Sequence, residues 1–219
     1  MKAFFGESHD LVKDKVQLAW AKGAALASAY QTPWGQSKFV GIIAQSENPK
    51  AYVHRQDFHG RIAINLNKFS EQGLPLVLGH EISHLSRVNR FTQTGAGTYD
   101  HYYLFPSKLT DLVGLAGPKP PTALAHLQVA NSIVQGHLNS TYLAAPLHEN
   151  FITGVRLKSS TPDAIMDIDT ALAAHNTHSG LAAAMAAENA DSVIHSAFYA
   201  HNQYKQLLAQ RSTQRTLAR

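Results

Sequence analysis

Residues 80–84 read His-Glu-Ile-Ser-His, and no other stretch of the chain limits its fold as narrowly. On an α-helix, two imidazoles four residues apart lie about 40° apart on one face, close enough to share a cation. The flanking residues agree with a helix. With His80 at zero on the wheel, Leu74, Leu78, Ile82 and Leu85 form a stripe at roughly 120–200°, so the histidines sit beside the core-facing side. Glu81 falls at about 100°, at the edge of the metal face. A carboxylate there can act on water at a metal without ligating the metal itself. Gly79 removes side-chain bulk where a ligand must approach. Upstream, Ile62-Ala63-Ile64-Asn65-Leu66-Asn67 alternates apolar and polar residues, the clearest strand pattern in the sequence. The helix that follows takes Pro75 in its first turn and runs to about Arg90.

Composition narrows the function classes. Hydrophobic residues make up 44% of the 219 and charged residues 16%, which excludes global disorder and allows one ordinary domain with a real core. Nineteen Lys and Arg against fifteen Asp and Glu give +4, too small an excess to argue for nucleic acid. The basic residues do not cluster, apart from a tail around Arg211, Arg215 and Arg219. Cysteine is absent, so disulfide frameworks, thiolate metal sites and cysteine nucleophiles are excluded. No run of about eighteen apolar residues offers a membrane span. The first ten residues carry a lysine but no apolar stretch behind it, so no signal peptide is recognised. Thirteen histidines are the conspicuous excess, and histidine is the commonest metal ligand.

The rest of the chain reads as an α+β fold, one domain or two lobes around a cleft. An amphipathic helix is expected over 8–30, with Leu11, Val12, Val16 and Ala19 on its apolar side. Phe39 to Ile43 and Ala51 to His54 read as short strands. Gly95 and Gly97 open a loop that closes at Pro106, and Gly114, Gly117, Pro118, Pro120 and Pro121 then interrupt the chain. A helical pattern resumes over 122–143, and an alanine-rich, strongly helical stretch covers 161–200.

Two histidines leave a catalytic metal site one protein ligand short. Four carboxylates are candidates: Glu188 and Asp191 on the late helical stretch, Glu149 on a polar loop beside His148, and Asp100 on the Gly-bracketed loop. Asp100 lies in Gly97-Thr98-Tyr99-Asp100-His101-Tyr102-Tyr103, which can fold back over the helix. His101 reads as a neighbour of the site and not as a ligand. His54, His59, His126, His137, His148, His175, His178, His195 and His201 are scattered and read as surface or satisfied structural histidines. Asn189 and Asp191 are candidates to orient a metal-bound imidazole from behind, with helix capping as the alternative.

His80-Glu81-x-x-His84 followed by Gly97-Thr98-x-Asp100-x-x-Tyr103 resembles the aspzincin pattern of the deuterolysin and peptidyl-Lys metalloendopeptidase family. Ala51-Tyr52-Val53 with Ile62 to Phe69 resembles that family's strand pair, and Asn189-Ala190-Asp191-Ser192 with Phe198 resembles a later segment of it. Together these cover about residues 50–104 and 185–202. The resemblance implies a zincin-like domain spanning 1–219, mostly helical, with a small mixed sheet next to the helix bearing His80 and His84. It implies one Zn2+ per chain held by His80, His84 and Asp100, Glu81 as general base and then acid, and Tyr103 as donor to the transition-state oxyanion. It places the edge of strand Ile62–Leu66 where an extended substrate pairs. The sequence departs from the family in having Leu104 where a glycine is expected. It also has an apparent insertion between about 105 and 180, and no cysteines.

The function expected is therefore a zinc metalloendopeptidase acting on protein or peptide. The alternatives are a zinc amidase on cell-wall peptide and a non-catalytic interaction protein with a structural zinc. The absence of a signal peptide fits a toxin or effector domain delivered outside the producing cell by a bacterial secretion system, with a cytoplasmic enzyme as the other setting. That context leaves room for an immunity or inhibitor protein as partner.

Overall fold

The computed structural model describes residues 1–44, 50–55, 57–68, 74–86, 95–104, 123–140, 143 and 147–217. In chain order the elements are α1 (Lys2–Phe5), α2 (Lys13–Tyr30), α3 (Pro33–Gln36), β1 (Phe39–Ile42), β2 (Ala51–Tyr52), β3 (Ile62–Asn65), α4 (Leu74–His84), α5 (Ala123–Ser132), α6 (His148–Lys158), α7 (Ile168–Thr177), α8 (Ser179–Ala186) and α9 (Ala190–Leu217). The fold is mostly helical with one small mixed sheet, as an α+β reading expects. Strand order is β1-β3-β2. β1 runs parallel to β3 with Phe39 opposite Ile62, and β2 runs antiparallel with Ala51 opposite Ile64.

Two apolar clusters hold these layers. The larger joins the helices: Phe5, Ile133, Phe151, Val155 and Met185 are almost wholly buried there. Burying a side chain of this size contributes about 1.5–3 kcal/mol each. Tyr102 and Leu104 belong to the same cluster, so the loop after α4 is pinned into the helical core from which α9 emerges. The smaller cluster, Leu26, Tyr30, Ile62, Ile82 and Leu85, seals the sheet and α4 against α2. The Tyr30 hydroxyl donates to the Gly60 carbonyl and fixes the turn into β3. Residues 105–122, the first part of the stretch that reads as an insertion, lie outside the described residues. Residues 123–180 supply much of the larger core together with Phe4 and Phe5.

Several elements differ from the sequence reading. β3 is the central strand, so its edges are taken by β1 and β2 and cannot receive a substrate; among the described residues the unpaired edges are those of the outer strands. The helix at 8–30 begins as a 3-10 turn over His9–Val12, which turns Leu11 out to 78% exposure. α4 stops at His84 and not near Arg90: a donor from the later loop takes one of its last carbonyls, and the final turn tightens. Thr98 N–H donates to Ser83 O at 3.0 Å, and Leu85 N–H tightens onto Ile82 O at 3.2 Å. Residues 87–94 lie outside the described residues. The expected helix over 122–143 becomes α5 followed by a π turn, Ile133–His137, in which Gly136 has a φ of 90°. The strongly helical stretch expected over 161–200 divides into α7, α8 and the start of α9. Asp167 starts α7 with a capping box, its carboxylate accepting from Thr170 N–H at 2.9 Å, and breaks follow at His178 and at Ala187–Asn189.

Candidate metal centre

His80 and His84 project from α4 with ring centroids 4.7 Å apart. Asp100 comes to them on the segment 95–104, whose path depends on two glycines. Gly95 lies so close to the end of α4 that a Cβ would meet Leu85 O at 2.3 Å and Ile82 O at 2.5 Å. Gly97 turns with a φ of 70°, a conformation that only glycine adopts without strain. The ligand atoms of His80, His84 and Asp100 lie within 4.8 Å of one another, and among the described residues this is the one such cluster that could hold a metal ion. The other three carboxylates are elsewhere. Glu188 pairs with Lys15 and Lys158, Glu149 is exposed in the first turn of α6, and Asp191 lies behind His80.

The hydrogen-bond pattern assigns the imidazole protons. His80 Nδ1 is 2.8 Å from Asp191 Oδ1, an acceptor, so Nδ1 carries hydrogen and, in the neutral ring, Nε2 keeps the lone pair. His84 Nδ1 is 3.0 Å from the Thr98 carbonyl, which fixes the same tautomer. Both Nε2 atoms then face the Asp100 carboxylate, His80 at 3.1 Å from Oδ1 and His84 at 3.4 Å from Oδ2. Asp100 Oδ1 is buried, and its near neighbour is the His80 Nε2, which can donate to it only when the imidazole is protonated. With neutral imidazoles, two nitrogen lone pairs converge on a carboxylate, an arrangement that takes up either a proton or a metal cation.

Electrostatics lead to the same place. Burial opposes a charge on His80, but the Asp100 and Asp191 carboxylates outweigh it and hold its pKa well above the ordinary value. Burial likewise opposes charge on Asp100, yet the two imidazoles hold its carboxyl well below the usual range. Metal-free, the pocket attracts a proton; a divalent cation would compete for the same lone pairs.

Around this cluster stand the other expected residues. Glu81 is 8% exposed, and burial pushes its pKa up to about 7, partly offset by His80 and His84. The Val53 N–H donates to its carboxylate. The Tyr103 ring lies 6.2 Å from that of His80. Burial first, then the Asp100, Asp191 and Glu81 carboxylates, raise its hydroxyl pKa, so it is a proton donor at neutral pH. Tyr102 points the opposite way, 1% exposed with its hydroxyl 3.3 Å from Ser192 Oγ. His101 is turned into the helical core, where a Cβ on Gly154 would meet its ring at 2.6 Å.

The segment Asn189–Ser192 proves to be the scaffold for the loop that carries Asp100. Asn189 Oδ1 accepts from His101 N–H at 3.0 Å and Tyr102 N–H at 3.2 Å. Asp191 Oδ2 accepts from Leu104 N–H at 2.8 Å while Oδ1 holds His80. Asp191 is thus more than a helix cap. Sequence reasoning did not find Thr98 as a partner of His84, nor Ser83, whose hydroxyl is 2.6 Å from Thr98 Oγ1. The Gly-Thr pair ahead of the aspartate was the available signal. Asp191→Ala is expected to weaken metal binding by about 10–100-fold, the usual cost of losing a carboxylate behind a ligating imidazole. Competition with a chromophoric chelator measures it, and an unchanged affinity would reduce Asp191 to a structural cap.

No protein-family model, curated protein or solved structure matches the chain. No helix among the described residues is long and apolar enough to cross a membrane.

Proposed function

We propose that this chain is a zinc-dependent metalloendopeptidase of aspzincin type, with His80, His84 and Asp100 as the zinc ligands. The observation that carries the reading is the convergence of the His80 and His84 Nε2 atoms on the Asp100 carboxylate, at 3.1 and 3.4 Å, beside a buried glutamate. Two histidines and one carboxylate suit zinc, and three protein ligands are the number used where a position must stay open for chemistry. A structural site would call for a fourth, and the cluster among the described residues has three.

Zinc, when bound, supplies a Lewis acid that polarises a carbonyl and makes water a nucleophile at neutral pH. The chain's own groups do the rest. Glu81, with a pKa of about 7, is matched to taking a proton from the attacking water and returning it to the leaving nitrogen. Tyr103 donates its hydroxyl hydrogen to the oxygen that gains charge as the carbonyl carbon becomes tetrahedral. Substrate register falls to β2, which pairs with β3 on one side only among the described residues. The Val53 N–H on Glu81 ties this free edge to the site, so an extended peptide added to β2 passes beside the general base. Delivery outside the producing cell, with an immunity or inhibitor protein as partner, is the setting this reading favours.

The test is digestion of casein and of a mixed peptide library, followed by mass spectrometry. Internal cleavage that a chelator stops and zinc restores is the expected result. A zinc-replete protein that leaves both untouched but opens cell-wall peptide would move the substrate class to an amidase. One that cleaves neither would leave a binding protein.

A further inference from the structure

Two residues beyond the Val53 contact, the chain leaving β2 places Arg55 against the ligand loop. Its Nη2 and Nε both donate to the Gly97 carbonyl, at 2.6 and 3.1 Å. Its guanidinium carbon lies 3.7 Å from the centroid of the Tyr99 ring. The backbone carbonyl of the same residue accepts from Ser86 N–H at 3.1 Å and Ser86 Oγ at 3.2 Å, just past His84. Arg55 therefore touches the end of the helix that carries both histidines and grips the loop that carries Asp100, three residues beyond Gly97.

We propose that Arg55 is a positioning residue for the metal centre: its guanidinium, forked onto the Gly97 carbonyl and stacked on Tyr99, holds the loop so that Asp100 meets His80 and His84. The inference rests on the metal reading of that triad. Gly97 has a left-handed φ, a residue type with many alternatives open to it once released. A ligand loop must be held to within about 0.5 Å for its carboxylate to complete a site. Charge-assisted bonds from a rigid fork do this, and a lysine cannot reproduce them because its ammonium is a point charge on a flexible stem. Arg61 is the natural control, since it is exposed and pairs with Asp57 away from the loop.

Zinc affinity by chelator competition and the absorption spectrum of the cobalt-substituted protein are measured for wild type, Arg55→Gln, Arg55→Lys and Arg61→Gln. The unfolding midpoint of each metal-free protein is recorded alongside. Arg55→Gln is expected to bind zinc about 10–100-fold more weakly, with an altered cobalt spectrum and a metal-free midpoint close to wild type. Arg55→Lys is expected to shift in the same direction and Arg61→Gln to match wild type. Wild-type affinity in either Arg55 variant overturns the inference. So does a weakening that merely follows a lower metal-free midpoint with the cobalt spectrum unchanged. If Arg55→Gln does not fold, Arg55→Lys decides on the same criteria. A wild type that takes up neither metal defeats the metal reading itself, whereas a metal-replete wild type with indifferent Arg55 variants defeats this inference alone.

Discussion

Glu81→Gln is expected to abolish peptide hydrolysis while leaving the fold and the metal content intact. The amide is nearly the same size as the carboxylate and can still accept the Val53 N–H through its oxygen, so the buried pocket loses little packing. It cannot take a proton from water. Loss of a positioned general base costs about 10²–10⁴-fold, and a base that also serves as the acid for the leaving nitrogen places the effect at the upper end. Turnover within a few-fold of wild type, measured on a fluorogenic peptide with zinc content matched, would remove Glu81 from the chemistry and leave its burial unexplained.

Tyr103→Phe should lower kcat with little change in KM or in zinc content. Its hydroxyl meets an oxygen that bears full negative charge only near the transition state, so its loss raises the barrier without weakening the bound substrate. One such donor is worth on the order of 3–4 kcal/mol, about 10²–10³ in rate. Tyr102→Phe is the matched control for the chemistry. Its hydroxyl meets Ser192 in the core, and removing it should cost about 1 kcal/mol of stability with kcat unchanged. The opposite pattern, a silent Tyr103→Phe and a damaging Tyr102→Phe, would mean that the loop presents the wrong tyrosine to the cleft.

What could be read from the sequence was local. The two-histidine face follows from helical geometry alone, and glycines at 95 and 97 announce a tight loop whose aspartate is close enough in the chain to return to the helix. The small sheet was legible as three short apolar runs, but its strand order was not. β1 reaches β3 in parallel across more than twenty residues, and nothing in the alternation of 62–67 says that both of its edges are taken. Contacts that join distant segments were also beyond periodicity. Asp191, which meets His80 from 111 positions away, could be named only as one of two readings, an imidazole partner or a helix cap; Arg55, which meets Gly97 from 42, is an ordinary polar residue until the fold brings a carbonyl to it. The end of α4 at His84 belongs to the same class, because Thr98, a residue of the later loop, donates to the Ser83 carbonyl there.

Elemental analysis of the purified protein beside Asp100→Ala and Glu188→Ala tests the central claim most directly, because the whole account turns on which carboxylate completes the site. Asp100 faces both Nε2 atoms, while Glu188 is committed to Lys15 and Lys158. One zinc per chain is expected in wild type and in Glu188→Ala, and loss of the metal in Asp100→Ala. Full zinc in Asp100→Ala, with loss in Glu188→Ala, would contradict it.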